Sequence, residues 1–528
     1  MNIQKKKRNK VLVIGLDGAT FDLIRPWIEK GELPALRKLI ETGACGELTS
    51  TIPPVTAPAW TSFATGKNPG KHGVFDFRMR EKNSYKMKPI SMKDRDGEAI
   101  WNILSRWDRK VGILNLALTY PPEKVNGFMV SGFLAPENKN YSFPNIVLKE
   151  LKEKIVGYRI HPKTPFSNEN KDKYVSEVNE MTENLKEATL FLMEKYDWDF
   201  FLTVFQSTDW LQHYFFEDEK LLLEHYKKID NSINSIIEKL DKNTTIIIMS
   251  DHGFGPLIKS VYINSWLEKN GLIKYKRNLK YLLFRLGLTP VSAYNLLRKL
   301  KLTKIYKMMS RETKNELIQA FFSFSDIDWA KTKAYSVGFI GQIFINLEGR
   351  EPLGIVKPGD EYKETTKFIV TKLRELKDPD SGARVVDEVY LKEEIYSGKH
   401  LDGAPDIIFL TTKYMQSEIE FGSKSLVGPS PKSFSGHHRI NGIVIINGPQ
   451  IKKRAEILNS RIVDLVPTIL YLMGIPIPND IDGKILTDAI TSEFLTENPI
   501  KWENNKLNLI HEKQRIAKVR KELERLKL

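Results

Sequence analysis

The sequence predicts an α/β protein whose mostly parallel sheet is covered by helices on both faces. Three observations carry that prediction. Short, continuously apolar runs rich in β-branched residues recur along the chain, as strands buried on both faces require. Segments with helical spacing of apolar residues separate these runs, which is the alternation of a layered α/β fold. Acidic residues stand directly after several of the runs, where open parallel sheets present their ligand-binding edge.

The elements follow in order. Residues 11–16 (VLVIGL) form the first strand, and residues 20–42 carry a helical pattern. Val111–Leu116 is a second strand of the same type. Phe200–Phe205 follows a long polar helix at 173–196, and Thr244–Met249 follows a helix at 221–240. Residues 335–396 hold strand-like pieces at 339–347 and a helix at 362–376. Residues 407–410 and 442–446 read as late strands of the sheet, and 460–473 as a late helix.

Two segments depart from this rhythm. Residues 274–310 contain ten basic residues and no acidic one, interleaved with leucine, tyrosine and methionine. This pattern predicts an inserted helical cap with its apolar side on the core and its lysines solvated. A basic amphipathic face for an anionic membrane surface or an anionic substrate is the alternative. From residue 506 onward, Leu509, Ile516, Val519, Leu523 and Leu526 keep helical spacing. That amphipathic helix docks on its own domain or pairs two copies into a homodimer. The expected division is a first core part at 8–265, an inserted basic cap and small α/β subdomain at 266–396, a second core part at 397–495, and a C-terminal helix at 496–528.

Composition narrows the function classes. The chain has 528 residues, 41% hydrophobic and 28% charged, which excludes collagen-like and wholly disordered chains. Cys45 is the single cysteine, so no intrachain disulfide framework exists, which fits a reducing compartment. No run of about 18 apolar residues is present, and the apolar run at 11–16 is too short for a secretory leader. The expected location is cytoplasmic. The net charge of +15 fits an anionic partner such as a phosphate-bearing substrate, and a solvated lysine-rich surface explains it equally. No nucleic-acid reader motif accompanies the basic run, so nucleic acid is not the expected partner.

Chemistry-bearing residues gather at strand ends. Asp17 closes the first strand, and Asp251 and His252 close the strand in TTIIIMSDHG. Asp209 and His213, in QSTDWLQH, are spaced i, i+4 and share one face of a helical turn, a geometry that suits two ligands of one metal. His437 and His438 precede another strand, and at most one of the adjacent pair points inward. Three aspartates and three histidines can hold two divalent cations, Zn²⁺ or Mn²⁺. Such a pair clamps the attacking and leaving oxygens of a phosphoryl displacement. Thr56 offers a hydroxyl between Pro54 and Pro58, ahead of a helix that Ala59 starts, where backbone N–H groups favour a phosphate.

These motifs, in this order, resemble the alkaline phosphatase superfamily, specifically its type I phosphodiesterase and nucleotide pyrophosphatase branch. The set comprises strand-Asp-Gly, Thr-x-Pro with Thr-Gly and His-Gly downstream, Asp-xxx-His, Asp-His-Gly and Gly-x-His, running from about Val11 to about Gly474. The resemblance implies a three-layer αβα sandwich with an inserted cap. It implies one metal held by Asp17, Thr56, Asp251 and His252, and another by Asp209, His213 and His438. It makes Thr56 the nucleophile of a phosphodiesterase or pyrophosphatase that passes through a phosphothreonine, and a phosphate-ester small molecule the substrate. Nucleotide pyrophosphatases usually place an asparagine three residues after the nucleophile; this chain has Ala59 there, followed by Trp60, which can stack on a substrate group. The Cys-x-Pro-x-Arg of sulfatases is absent at 56–60, and Cys45 lies outside that stretch. Relatives with this metal set include phosphomonoesterases and phosphoglycerate mutases, which use basic residues to grip a distal group; Lys67, Lys71, Arg78 and Arg439 are the candidates. A lipid head-group phosphotransferase and a non-catalytic anionic-surface scaffold are further readings.

Overall fold

Alternate residues of the first strand enter different cores. In the computed structural model, which describes residues 9–278, 281, 324–338, 340–418, 425–430 and 434–503, strand β1 spans Lys10–Leu16. Val11 and Val13 pack into one apolar layer, and Leu12, Ile14 and Leu16 into another. A strand buried on both faces cannot alternate polar and apolar residues, which is why this one reads as a continuous apolar run.

Among the described residues the central sheet has ten strands. Besides β1 they are β2 (Ala44–Thr49), β3 (Val111–Leu116), β4 (Gly127–Ser131), β5 (Ser142–Phe143), β6 (Phe200–Phe205), β7 (Thr244–Met249), β8 (Asn441–Asn447), β9 (Ala455–Glu456) and β10 (Ser460–Arg461). Their order is β9-β2-β8-β7-β1-β6-β3-β4-β5, with β10 also paired to β2. The middle is parallel: β1 lies between β6 and β7, with Leu16 opposite Phe205 and Gly15 opposite Met249. This register brings the ends of three strands, and the segments that follow them, to one edge. β8 runs antiparallel to both β7 and β2, and β5 antiparallel to β4.

Helices cover both faces. Phe21–Glu29, Pro34–Thr42, Lys171–Lys195 and Glu219–Ile237 close one layer. Thr56–Thr65, Ile100–Arg106 and Leu465–Leu472 close the other. The helical pattern expected over 20–42 is two helices, because Gly31 takes φ +78° and Pro34 opens the second helix. The helix expected at Ala59 begins three residues earlier, at Thr56, with Pro58 inside its first turn where its missing N–H costs nothing.

A smaller unit flanks the sheet. Its four strands run in the order Ala334–Tyr335, Gln342–Ile345, Ile407–Thr411 and Val386–Leu391, all antiparallel, with the helix Asp360–Arg374 in the same apolar core. Residues 407–410, expected in the parallel core, therefore belong to this unit, and the return to the main sheet falls later in the chain. An apolar run of four residues carries no mark of which sheet it joins. Gly253–Pro256 pairs antiparallel with Gly436–Arg439 and ties the two late motifs together.

The basic segment at 274–310 lies almost wholly outside the described residues, and so does the tail from 504. No helix among the described residues is long and apolar enough to cross a membrane.

Candidate active site

Most site residues sit where strands end at the carboxyl edge of the sheet. Asp17 follows β1, and Asp251 and His252 follow β7. Asp209 and His213 lie on the helix Ser207–Phe215, which starts directly after β6. His438 lies on Gly436–Arg439, where its partner across the antiparallel pair is Phe254. Thr56 is the first residue of its helix.

Two acceptor-rich clusters result. In the first, His438 Nε2 is 3.1 Å from Asp209 Oδ1 and 3.1 Å from His213 Nε2. His438 Nδ1 lies 3.0 Å from the Pro54 carbonyl, and His213 Nδ1 3.3 Å from the Gly436 carbonyl. Carbonyls only accept, so they assign a proton to each Nδ1 and turn both Nε2 atoms toward the carboxylate. Two imidazole lone pairs and a carboxylate oxygen then converge, and a positive charge has to sit among them. Burial alone would raise the Asp209 carboxyl; His213 and His438, when they also carry a proton on Nε2, hold it far below the usual carboxylate range, and in their neutral form that positive charge has to come from elsewhere.

The second cluster joins β1 and β7. His252 Nδ1 is 3.1 Å from the Gly253 carbonyl, which leaves Nε2 as the acceptor facing inward. That Nε2 is 3.2 Å from Thr56 Oγ1, 3.3 Å from Asp251 Oδ2 and 3.6 Å from Asp17 Oδ1. Trp60 Nε1 donates to Asp17 Oδ2 at 3.0 Å, and the Gly18 amide donates to Asp251 Oδ1 at 3.2 Å. The remaining oxygens, Asp17 Oδ1 and Asp251 Oδ2, are buried with no hydrogen-bond partner. Burial, reinforced by Asp251 and Asp209, pushes Asp17 well above the carboxylate range. Burial, with Asp209 adding to it, lifts Asp251 to about 7. Burial lowers His252 well below the ordinary imidazole value, with His438 adding to it.

These residues fit divalent cations. Buried carboxylate oxygens without donors, beside imidazole lone pairs, are what such ions require. One ligand atom each from Asp209, His213 and His438 lies within 4.8 Å of the others, and the same holds for Asp17, Asp209 and His252. Asp209 thus belongs to both groups, whereas the sequence resemblance assigned it to one. The rings of His252 and His438 stack at 3.7 Å and join the clusters.

Several supporting groups were not legible in the sequence. The carbonyls of Pro54, Gly253 and Gly436 orient the imidazoles, and backbone atoms leave no signature in side-chain identity. Thr208 Oγ1 donates to the Asp17 carbonyl at 2.6 Å, and His225 Nε2 lies 3.0 Å from Ser207 Oγ at the start of the Asp209 helix. Trp60 is buried at 1% exposure, with its indole committed to Asp17, and Ala59 is fully buried. Of the adjacent histidines, His438 joins the cluster and His437 does not. Lys67 pairs with Asp480 and Lys71 with Asp482, and Arg439 lines a cleft beside His438.

Comparison with known proteins agrees with this architecture. Phosphonoacetate hydrolase from Sinorhizobium meliloti, solved with phosphonoformate and with phosphonoacetate, shares the fold at a TM-score of 0.51 and 14% identity, over 88% of this chain and 95% of that one. Murine ectonucleotide pyrophosphatase/phosphodiesterase 5 aligns at 0.49 and 14% identity over 88% and 95%. No curated protein sequence matches. Residues 11–438 match the family model for type I phosphodiesterases and nucleotide pyrophosphatases, a stretch that begins in β1 and ends on His438. The protein is thereby a hydrolase acting on phosphoester bonds. It belongs to the type I phosphodiesterase/nucleotide pyrophosphatase family.

Proposed function

We propose that the protein hydrolyses phosphodiester or pyrophosphate bonds with Thr56 as nucleophile and two divalent cations, Zn²⁺ or Mn²⁺, at the two clusters. The observation that carries this reading is the Thr56 hydroxyl at a helix N-terminus, 3.2 Å from His252 Nε2 and beside buried carboxylate oxygens that lack donors. Asp17, Asp251 and His252 would hold one cation and Asp209, His213 and His438 the other, with Asp209 within reach of both. Bound there, the cations supply positive charge to the phosphoryl oxygens and favour the ionised hydroxyl.

The chain's own groups do the positioning. The first helical turn fixes Oγ1 and turns its amides toward an incoming phosphate. Trp60 holds Asp17 and the Gly18 amide holds Asp251, so the cluster is set before substrate arrives. Oγ1 forms a bond to phosphorus as the leaving alcohol or phosphate departs. The other substituent stays on phosphorus, so the intermediate is a substituted phosphothreonine; water then attacks it, releases the phosphate monoester and restores the hydroxyl. With Lys67 and Lys71 engaged by Asp480 and Asp482, two of the groups that a mutase would use on a distal phosphate are occupied, which favours the diester reading.

The test compares bis-p-nitrophenyl phosphate with p-nitrophenyl phosphate for the wild type and Thr56→Ala, with acid-quenched samples analysed by mass spectrometry. A diester preference, a loss of about 10³-fold or more in the variant, and a p-nitrophenylphosphoryl group on the Thr56 peptide from the diester are expected. A fully active Thr56→Ala enzyme would overturn the assignment. A monoester preference would move it to the phosphomonoesterase branch.

A further inference from the structure

A cleft of about 330 Å³ opens beside the candidate site, a volume suited to a small molecule. Three parts of the chain build it. Thr20–Asp22 comes from the segment after β1, the strand pair around Gly255 and His437 forms a wall, and Ile340, Leu410 and Lys413 come from the small antiparallel unit. Pro54, Phe254 and His438 line it too, so the cleft borders the first cluster directly.

Arg439 is the unusual group in this cleft. Its guanidinium donates to the carbonyls of His438 (2.9 Å), Pro256 (2.8 Å) and Lys413, and its Nε is buried with no partner. No carboxylate among the described residues forms an ion pair with it. Among the described residues this half-buried cation is satisfied only by carbonyls, and charges withdrawn from water are normally paired. Gly255 makes room for this side chain, since a Cβ there would lie 2.9 Å from Arg439 Nε. Next to it, His437 is 7% exposed, lines the same cleft, and makes no hydrogen bond through its ring among the described residues. The exposed mouth carries Asp22, Glu47 and Asp387 against Lys413 alone. The three carboxylates outnumber the cations and oppose a dianion more than a monoanion, which leaves Arg439 as the charge that can hold one negative group inside the cleft.

We infer that the cleft binds a carboxylate carried by the substrate, held by Arg439 and His437, so that the preferred phosphoester has a carboxylate on the group beyond the scissile phosphate. This inference rests on the phosphoester-hydrolase reading above. Binding a carboxylate supplies the missing counter-charge and adds charge-assisted hydrogen bonds. It also makes Arg439 and His437 determinants of specificity that leave phosphoryl chemistry to Thr56 and the clusters.

The experiment measures kcat/KM for p-nitrophenyl phosphodiesters whose second alcohol carries a carboxylate on one to four methylenes, against their methyl esters and terminal phosphonates. In the wild type, the best carboxylate is expected to exceed its methyl ester at least tenfold, mainly through KM, and to exceed the phosphonate. In Arg439→Gln that ratio falls toward one, and in Arg439→Lys, which keeps the charge, much of it survives. Gly255→Ala, which displaces the guanidinium without removing it, lowers the ratio as well. Equal wild-type rates on carboxylate and methyl ester, or a phosphonate preference, would overturn the carboxylate site while leaving the hydrolase reading intact. No hydrolysis of any ester with any divalent metal would instead sink the reading on which it rests.

Discussion

Trp60→Phe isolates the one side-chain donor to Asp17 among the described residues. The indole N–H lies 3.0 Å from Asp17 Oδ2, and Oδ1 of the same carboxylate has no partner. Phenylalanine keeps an aromatic ring against Phe63, which the indole meets edge-on at 5.7 Å, and removes the donor. A hydrogen bond to a buried charged group is worth about 1.5–3 kcal/mol, which corresponds to about 10- to 150-fold. Loss of such an outer partner of a metal ligand typically costs about 10–100-fold in metal affinity or activity. The assay titrates chelated wild type and variant with Zn²⁺ by calorimetry and measures phosphodiester hydrolysis at controlled free metal. The expected result is metal affinity weaker by about tenfold or more in a folded protein. A built-in control comes from Gly15, where an added Cβ would lie 2.6 Å from Trp60 Cη2. Gly15→Ala alone is expected to destabilise the protein, and Trp60→Phe to relieve part of that cost. Unchanged affinity and activity in Trp60→Phe, with additive stability changes in the pair, would refute the reasoning.

Two further outcomes follow from the same structure. His225 is buried, and burial with nearby Lys228 lowers its imidazole to about 3, so the folded protein refuses a proton that the unfolded chain accepts from its ordinary value of 6.5 downward. Stability then falls as pH drops from about 6.5 toward 3, by about 1.4 kcal/mol per pH unit for this group. Denaturant unfolding at several pH values should show a shallower slope in His225→Gln, and an identical slope would contradict the assignment. Chelation should also lower the unfolding temperature, because ligand at 100 times its Kd contributes about 2.7 kcal/mol. A melting point indifferent to chelator and to added Zn²⁺ or Mn²⁺ would argue against cations at these clusters.

Much of the fold was legible because the central strands are buried on both faces and so read as unbroken apolar runs. Val11 to Leu16 serves two cores at once, and that demand shows in every residue. β2 escaped notice because ACGELT mixes small and polar residues, and its pairing to β8 is set by partners far along the chain. Residues 407–410 were visible as a strand but not as part of the smaller sheet, since register and partner are tertiary facts. At the site, the ligand residues were legible as carboxylates and histidines at strand ends. What holds them was not: the carbonyls of Pro54, Gly253 and Gly436 are backbone atoms, and Trp60 reads as an ordinary buried aromatic. Arg439 was legible as one of four basic residues able to grip a distal group, but its set of carbonyl partners and its buried, unpartnered Nε are tertiary facts.

The most direct measurement strips the protein of metal and follows bis-p-nitrophenyl phosphate hydrolysis as Zn²⁺ or Mn²⁺ is returned, with His438→Gln and Asp209→Asn alongside. Activity lost on chelation, restored by metal in the wild type and poorly restored in both variants is the result this account predicts. Full activity in the chelated protein, or variants restored as readily as the wild type, would contradict it.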